Sequence, residues 1–526
     1  MKPAGLERFL GLVLLLAPTL NVATAAGAEH PLTLNEAIAM TLEKNEGLLI
    51  ERESLTAAGA EVDGARGAYD PILGVDGGWW RSREPVNSAF SGAPPGEIAP
   101  EFESTRFGVG VRQLLPTGGE LSLRGRGGRE TTDGTVARLS PAYDTQVGVE
   151  LRQPLLRDRA IDPARLSVRV AQAGRQVAVA SLRRTVTETV AAVERSYWGL
   201  TAARLGVSVR EQAVQLAQEQ LAETRTRVES GVVPETELAQ PRAELERRRG
   251  ELLAAREALA RSENGLKLLI LADGDETLWM SQIVPGDSAA IAVAPVDLAT
   301  SLQRALSARP ELEEVEAALD RRRAESAFAR DAAWPSLDAV VSYDRFGFAG
   351  SPNPSGPGDP LPPQLGGDLG TSFETLGDGE LDAARVALVL ELPVFNRKAR
   401  ADAVVARSAE RQVEVALERT RKAIRAEVLD AAAALETAGQ RIEATRSGRE
   451  AAEIQLSAER DRYLTGLSTN FLVLTRQNDL SRARLDEISA LTDYRMARTE
   501  MARATASLIE ERGIEVGGTG QGGGSR

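Results

Sequence analysis

The 526-residue sequence contains no cysteine and a single histidine. Without thiols it can form neither a disulfide framework nor a thiolate metal site, and it offers no N-terminal cysteine for lipidation. His30 alone cannot anchor a catalytic triad or a metal cluster. Aromatic residues make up only 4% of the chain, too few for large compact cores. Beyond the first 28 residues, no run approaches the roughly 18 to 20 apolar residues that a spanning helix needs. If such a chain crosses a membrane, it does so as β-strands. An excess of basic charge is missing too. The formal net charge is −13, and lysine and arginine are interspersed with acidic residues, so nucleic acid is not an expected partner.

What is present begins with an export signal. Lys2 and Arg8 precede an apolar run over 9–17, and small residues follow at Ala23, Ala25, Ala26 and Ala28. This pattern predicts a cleavable signal peptide over residues 1–28.

The rest reads as a duplication. Leu34, Ala60, Ala65, Arg66 and Pro71 recur as Leu298, Ala324, Ala329, Arg330 and Pro335, at a constant offset of 264. Gln220, Leu221, Arg225, Arg227 and Gly231 recur as Gln455, Leu456, Arg460, Arg462 and Gly466, at an offset of 235. The expected organisation is a first repeat over 29–271, a linker over 272–296, a second repeat over 297–510 and a disordered glycine-rich tail over 511–526. Each repeat runs helix, strands, long helix, turn, helix.

Helices are predicted over 33–69, 161–229 and 235–271, then over 400–464 and 470–509. Val207, Val214, Leu221 and Val228 step by seven, as a coiled-coil seam requires. Some 65 helical residues reach roughly 100 Å, and two helices of about 37 residues laid end to end reach roughly the same. The two short helices of a repeat can therefore pair along its long one.

Between the helices the period drops to two. Phe107, Val109 and Val111 alternate with Arg106, Gly108, Gly110 and Arg112; Val147, Val149 and Leu151 alternate with Gly148, Glu150 and Arg152; Val386, Leu388 and Leu390 alternate with Arg385, Ala387 and Glu391. A soluble sheet shows the same alternation. Runs near the roughly 9 to 11 residues that span an outer membrane, with aromatics towards their ends, favour a barrel. Loops over 84–100 and 347–370 are rich in proline and glycine, and the strands are expected to pass directly into helices at Pro154 and Pro393. One chain has too few strands to close a barrel, so several copies must close it together.

The signal, the duplicated plan, the Ala-x5-Pro-x-Leu segments (65–73 and 329–337) and the Pro-Leu and Pro-Val strand exits together resemble the TolC-like outer-membrane factor family, over about residues 31–510. The resemblance implies an α+β membrane protein. It would be a homotrimer whose shared β-barrel crosses the outer membrane, in contact with its lipid, and continues as a long α-helical coiled-coil barrel into the periplasm. Function would be passive: a duct of a tripartite efflux or type I secretion system, without enzymatic activity or cofactor. It would carry small molecules, metal ions or proteins outward from a periplasmic adaptor and, through it, an inner-membrane pump.

By that resemblance the helix reversals at Gly231, Val232, Val233 and at Gly466, Leu467, Ser468 are the adaptor-docking tips. Thr236, Glu237 and Tyr463 match residues that latch the closed aperture in the best-known member. Ser468 stands where an arginine is expected, with Arg462 one turn away as the candidate replacement, and Leu472 and Thr475 stand where an acidic ring is expected. The first repeat also holds an extra alternating segment at 120–128, after Leu115-Pro116-Thr117-Gly118-Gly119. Either this hairpin lies at the periplasmic rim or it enlarges the barrel; the standard barrel is the expectation.

Two motif fragments carry no site. Asp273-Gly274-Asp275-Glu276 lacks the spacing of a calcium loop, and Gly108-Val109-Gly110 lies within a strand and not at a strand-to-helix turn. The rival to a duct is a periplasmic coiled-coil scaffold with a soluble sheet and no channel.

Overall fold

A computed structural model describes residues 29–85, 92–287, 295–358, 360 and 362–514. The signal segment 1–28 lies outside the described residues, as do 515–526 of the tail.

In chain order the elements are β1 (Glu29–Leu32), α1 (Leu34–Lys44), α2 (Glu46–Arg66), β2 (Ile72–Arg83), β3 (Glu101–Leu114), β4 (Glu120–Thr132) and β5 (Leu139–Pro154). The 67-residue α3 (Pro163–Glu229), α4 (Ala239–Ile270), α5 (Glu276–Met280) and β6 (Gln282–Pro285) follow. The second part holds α6 (Leu298–Ala308), α7 (Pro310–Asp331), β7 (Ser336–Pro352), α8 (Leu369–Asp378), β8 (Asp382–Glu391), α9 (Arg397–Leu464), α10 (Asn470–Ala504) and α11 (Leu508–Glu511). No helix among the described residues is long and apolar enough to cross a membrane.

Several boundaries differ from the sequence reading. The helix expected over 33–69 breaks at Asn45, whose backbone is extended at φ −66° and ψ 121°. Its N–H still closes the last turn on Thr41, and its side-chain amide donates to the Leu269 carbonyl. Arg309 makes the matching break in the second part because Pro310 forces the preceding residue out of the helical region. The helix expected from 235 opens as a 3-10 turn, Glu235–Leu238, before α4. Neither strand exit is direct: residues 155–162 separate β5 from α3, and Asn396, at φ 42°, lies between Pro393 and α9. Within the expected disordered tail, Glu511 ends α11, and the N–H groups of Arg512, Gly513 and Ile514 bond back onto it.

The chain forms two compact units, each drawing on both of the proposed repeats. One comprises Met1–Asn45, Ala192–Ala292 and Ile442–Asp493. Here β1 and β6 pair in parallel, and Tyr197 is fully buried beside them. Its hydroxyl donates to Asp287 at 2.6 Å and lies 3.0 Å from the Leu32 carbonyl, a satisfied buried phenol whose pKa burial and the Asp287 carboxylate both raise. Lys267, also buried, donates to the Trp279 and Ser281 carbonyls and pairs with Glu263 at 2.8 Å, tying α4 to the segment after it.

The other unit comprises Glu46–Ala191, Val293–Arg441 and Tyr494–Arg526. Its centre is a six-stranded sheet in the order β2-β3-β4-β5-β7-β8, antiparallel throughout. The 120–128 segment, set outside a standard barrel by expectation, instead makes up the first nine residues of β4 and is hydrogen-bonded on both sides. Leu121 and Leu123 continue the apolar face of its neighbours, which a rim hairpin would leave unsupported. Beside the sheet, α7 pairs with α3 through Arg183–Glu313 and Arg184–Glu314. Arg309 is buried between Glu311 at 2.7 Å and Glu427 at 3.0 Å, and Arg503 closes the network on Glu427.

Candidate functional site

The sheet is two-sided in a way a soluble sheet is not. Directly paired residues share a face, so the ladders place Leu73, Val75, Val109, Val111, Leu123, Val147, Val149, Val341, Tyr343, Val386 and Leu388 on one side. Most of these are exposed, Val75 by 77% and Val386 by 81%. Among the described residues these side chains are left largely uncovered, and the face spans all six strands. A contiguous apolar patch across a whole sheet is the kind of surface that marks a membrane or partner contact.

The opposite face carries Asp76, Arg106, Arg112, Arg124, Arg126, Gln146, Glu150, Asp344 and Arg385, with glycines between them. Polar contacts across strands run along it: Arg124 with Glu150 at 3.3 Å, Gln146 donating to Asp344 at 2.7 Å and Arg152 with Asp338 at 2.6 Å. An exposed apolar face backed by a charged one is the inverse of a water-soluble sheet and matches the two faces of a membrane barrel wall.

At the loop end, α8 lies on the apolar face over β5 and β7. Asp368 caps its first turn by accepting from Gly370 and Thr371, and Gly379 ends it at φ 73°. Thr145 donates to the Ser372 carbonyl at 3.0 Å, and the Thr375 hydroxyl accepts from the N–H of Phe348 at 3.0 Å. Gly347 permits this approach, since a Cβ there would collide with the Ser372 carbonyl oxygen.

The helix reversals form a second constellation. At both, the sixth residue bonds back to the first, Val232 to Arg227 and Leu467 to Arg462, each at 2.9 Å, with Gly231 at φ 73° and Gly466 at φ 77°. These are Schellman caps, and a side chain at either glycine would be strained. The shared Arg-x3-Gly spacing therefore sets two arginines at equivalent places in a cap. They do different things. Arg227 lies over the Tyr463 ring, 4.7 Å from its centre, joining the two reversals, whereas Arg462 is exposed and 3.8 Å from Glu459.

Among the latch candidates, Tyr463 is buried beneath Arg227. Thr236 and Glu237 are exposed, and among the described residues no hydrogen bond or ion pair joins them to Arg462 or Tyr463. Ser468 is half-buried and donates to Glu459, closing its own reversal. Val232 and Leu467 point their apolar side chains outward, 63% and 81% exposed, while Val233 is half-buried. The sequence reading missed the Arg227–Tyr463 stack and the Gln220–Asn470 bond at 2.8 Å, both between residues far apart in the chain.

A family model for outer membrane efflux proteins matches residues 140–270 and 301–507, well over half of the chain. The chain belongs to the outer membrane efflux protein family. Its place is the outer membrane and its function is efflux across it; members of the family are transporters and not enzymes. Solved structures share the fold. A membrane protein from Pseudomonas aeruginosa is 19% identical, with 90% of each chain covered and a TM-score of 0.61. The Campylobacter jejuni CmeC outer membrane channel is 16% identical over 91% of this chain and 89% of that one, TM-score 0.61. The open state of the Neisseria gonorrhoeae MtrE outer membrane channel is 18% identical over 90% and 89%, TM-score 0.60. No curated protein matches the chain.

Proposed function

We propose that three copies of this chain form one duct, each copy lending its sheet to a shared β-barrel in the outer membrane and its long helices to a coiled-coil tunnel in the periplasm. The observation that carries this reading is the sheet with its exposed apolar face, charged opposite face and two unpaired edges. In lipid an open edge leaves backbone groups without partners, so the sheet needs further copies. The same face counts against a periplasmic scaffold, which would expose it to water.

The duplication supports the reading, with repeats over 29–271 and 297–510 joined by the linker 272–296 behind a signal over 1–28. In a duct of this plan the tips at Gly231, Val232, Val233 and at Gly466, Leu467, Ser468 meet a periplasmic adaptor, and the exposed Val232 and Leu467 are the apolar contacts they offer. The adaptor links the duct to an inner-membrane pump that supplies the energy. Thr236, Glu237, Arg462 and Tyr463 flank the aperture, with Arg227 holding Tyr463 in place.

Membrane fractionation followed by gel analysis without boiling tests the reading. A carbonate-resistant species of three chains that heat converts to one is the expected result. A chain released by carbonate as a soluble monomer defeats the proposal.

A further inference from the structure

Among the described residues the sheet has two free edges, β2 and β8, and its face pattern dictates how they meet. Six strands alternate in direction, so β2 and β8 run oppositely, and β8 of one copy presents its edge antiparallel to β2 of another.

The apolar band also slides along the strands. Val75 lies level, through Val109, Gly125, Val147 and Arg345, with Asp382. Yet the exposed apolar stretch of β8 centres on Leu388, six residues beyond Asp382. About 20 Å of slide over five strand spacings of about 4.8 Å corresponds to a strand tilt of about 40°, the tilt of closed barrels. A band that lies in the plane of a membrane therefore crosses strands already inclined for closure.

We propose that β8 of one copy pairs with β2 of the next in the register that sets Leu388 opposite Val75, and that three copies joined in this way close a barrel of 18 strands. The proposal rests on the trimeric duct proposed above. This register pairs every residue of β8, Asp382–Glu391, with residues 72–81 of β2. It carries the apolar band across the joint without a step, and a slip by one residue would turn the apolar side chains inward. Small Ala383 and Ala384 come to lie beside Trp80 and Trp79, and Asp382 beside Arg81. Strands about 4.8 Å apart at a tilt of about 40° give a backbone diameter of about 36 Å for 18 strands, against about 24 Å for 12. The β3–β4 hairpin thus widens the duct to the class of large water-filled porins.

The chain has no cysteine, so Val75→Cys with Leu388→Cys can be oxidised in outer membranes without background. The expected products are covalent dimers and trimers from the double variant and none from either single variant. In parallel, electron microscopy of the unmodified protein in detergent gives the barrel diameter, and its particle mass gives the copy number. Three copies, the cross-link and about 36 Å support the proposal. Three copies with a barrel near 24 Å, or with no cross-link at this pair, overturn it and leave the trimer standing. A cross-link in a particle of another copy number overturns both the trimer and the count of 18, and keeps only the β2–β8 joint.

Discussion

Replacing Val149 by arginine asks whether the apolar face of the sheet meets lipid or water. Val149 lies on the central strand β5, directly opposite Leu123 on β4 and Tyr343 on β7. In a lipid-facing wall an arginine near mid-membrane costs about 2 to 4 kcal/mol, a loss of about 30- to 900-fold in the folding equilibrium. Disturbing the two cross-strand pairs adds at most about 1 kcal/mol each. On a water-facing sheet the same exposed substitution changes stability by only about 0.5 kcal/mol. The matched control is Ser122→Arg on the charged face, opposite Arg112 and Glu150, where an added charge has water and a carboxylate nearby. Urea unfolding of both variants in phospholipid vesicles, read by tryptophan fluorescence, separates the cases. Equal stabilities, or a control more damaged than Val149→Arg, would refute the assignment of the two faces.

Three further outcomes are expected. Arg227→Ala removes the stack on Tyr463, about 0.5 to 2 kcal/mol, and should raise the entry of large antibiotics through the duct, whereas Arg227→Lys should restore part of the barrier; unchanged uptake would place the closure elsewhere. Arg309→Ala takes the partner from Glu311, while Glu427 keeps Arg503, and should destabilise the fold by about 3 kcal/mol, seen as an earlier thermal transition than in Arg309→Lys. Stability should also fall in acid. Burial alone would raise the Glu311 carboxyl, but hydrogen bonds and charge from Arg309 hold it below its ordinary value. The unfolded chain therefore takes up its proton first as pH falls, so the contribution is complete above about pH 5 and is lost below about pH 4. Unfolding midpoints that stay flat from pH 6 to pH 3 would contradict this.

Strand spans and helix spans were legible because each period leaves its mark on one chain. Alternation at Val147, Val149 and Leu151 tells which face a residue takes. It does not tell which strand lies beside it, so the 120–128 segment could be read as a strand without its place between β3 and β5 being visible. The helix break at Arg309 is signalled by Pro310, whereas the equivalent break at Asn45 has no proline and depends on a bond to Leu269. Helix α8 begins at the end of the stretch taken for loop, 347–370, and its remaining residues were assigned to no element, although Asp368 and Gly379 are the start and stop signals that could have found it. At the tips the cap glycines were readable from spacing. Arg227 meeting Tyr463 was not, because that pairing depends on how two distant hairpins lie against each other.

Because β2 and β8 run in opposite directions, the wall can be altered only by whole hairpins. A single added strand would leave the two edges parallel, and a repeating ring of copies could no longer join them as an antiparallel ladder. In the trimeric duct proposed above, threefold repetition would multiply each such change, so one duplicated hairpin in the gene would add six strands to the pore at a stroke. Bore size in a duct built on that proposal would change by jumps, and gaining a β3–β4 hairpin would pass through no intermediate diameter.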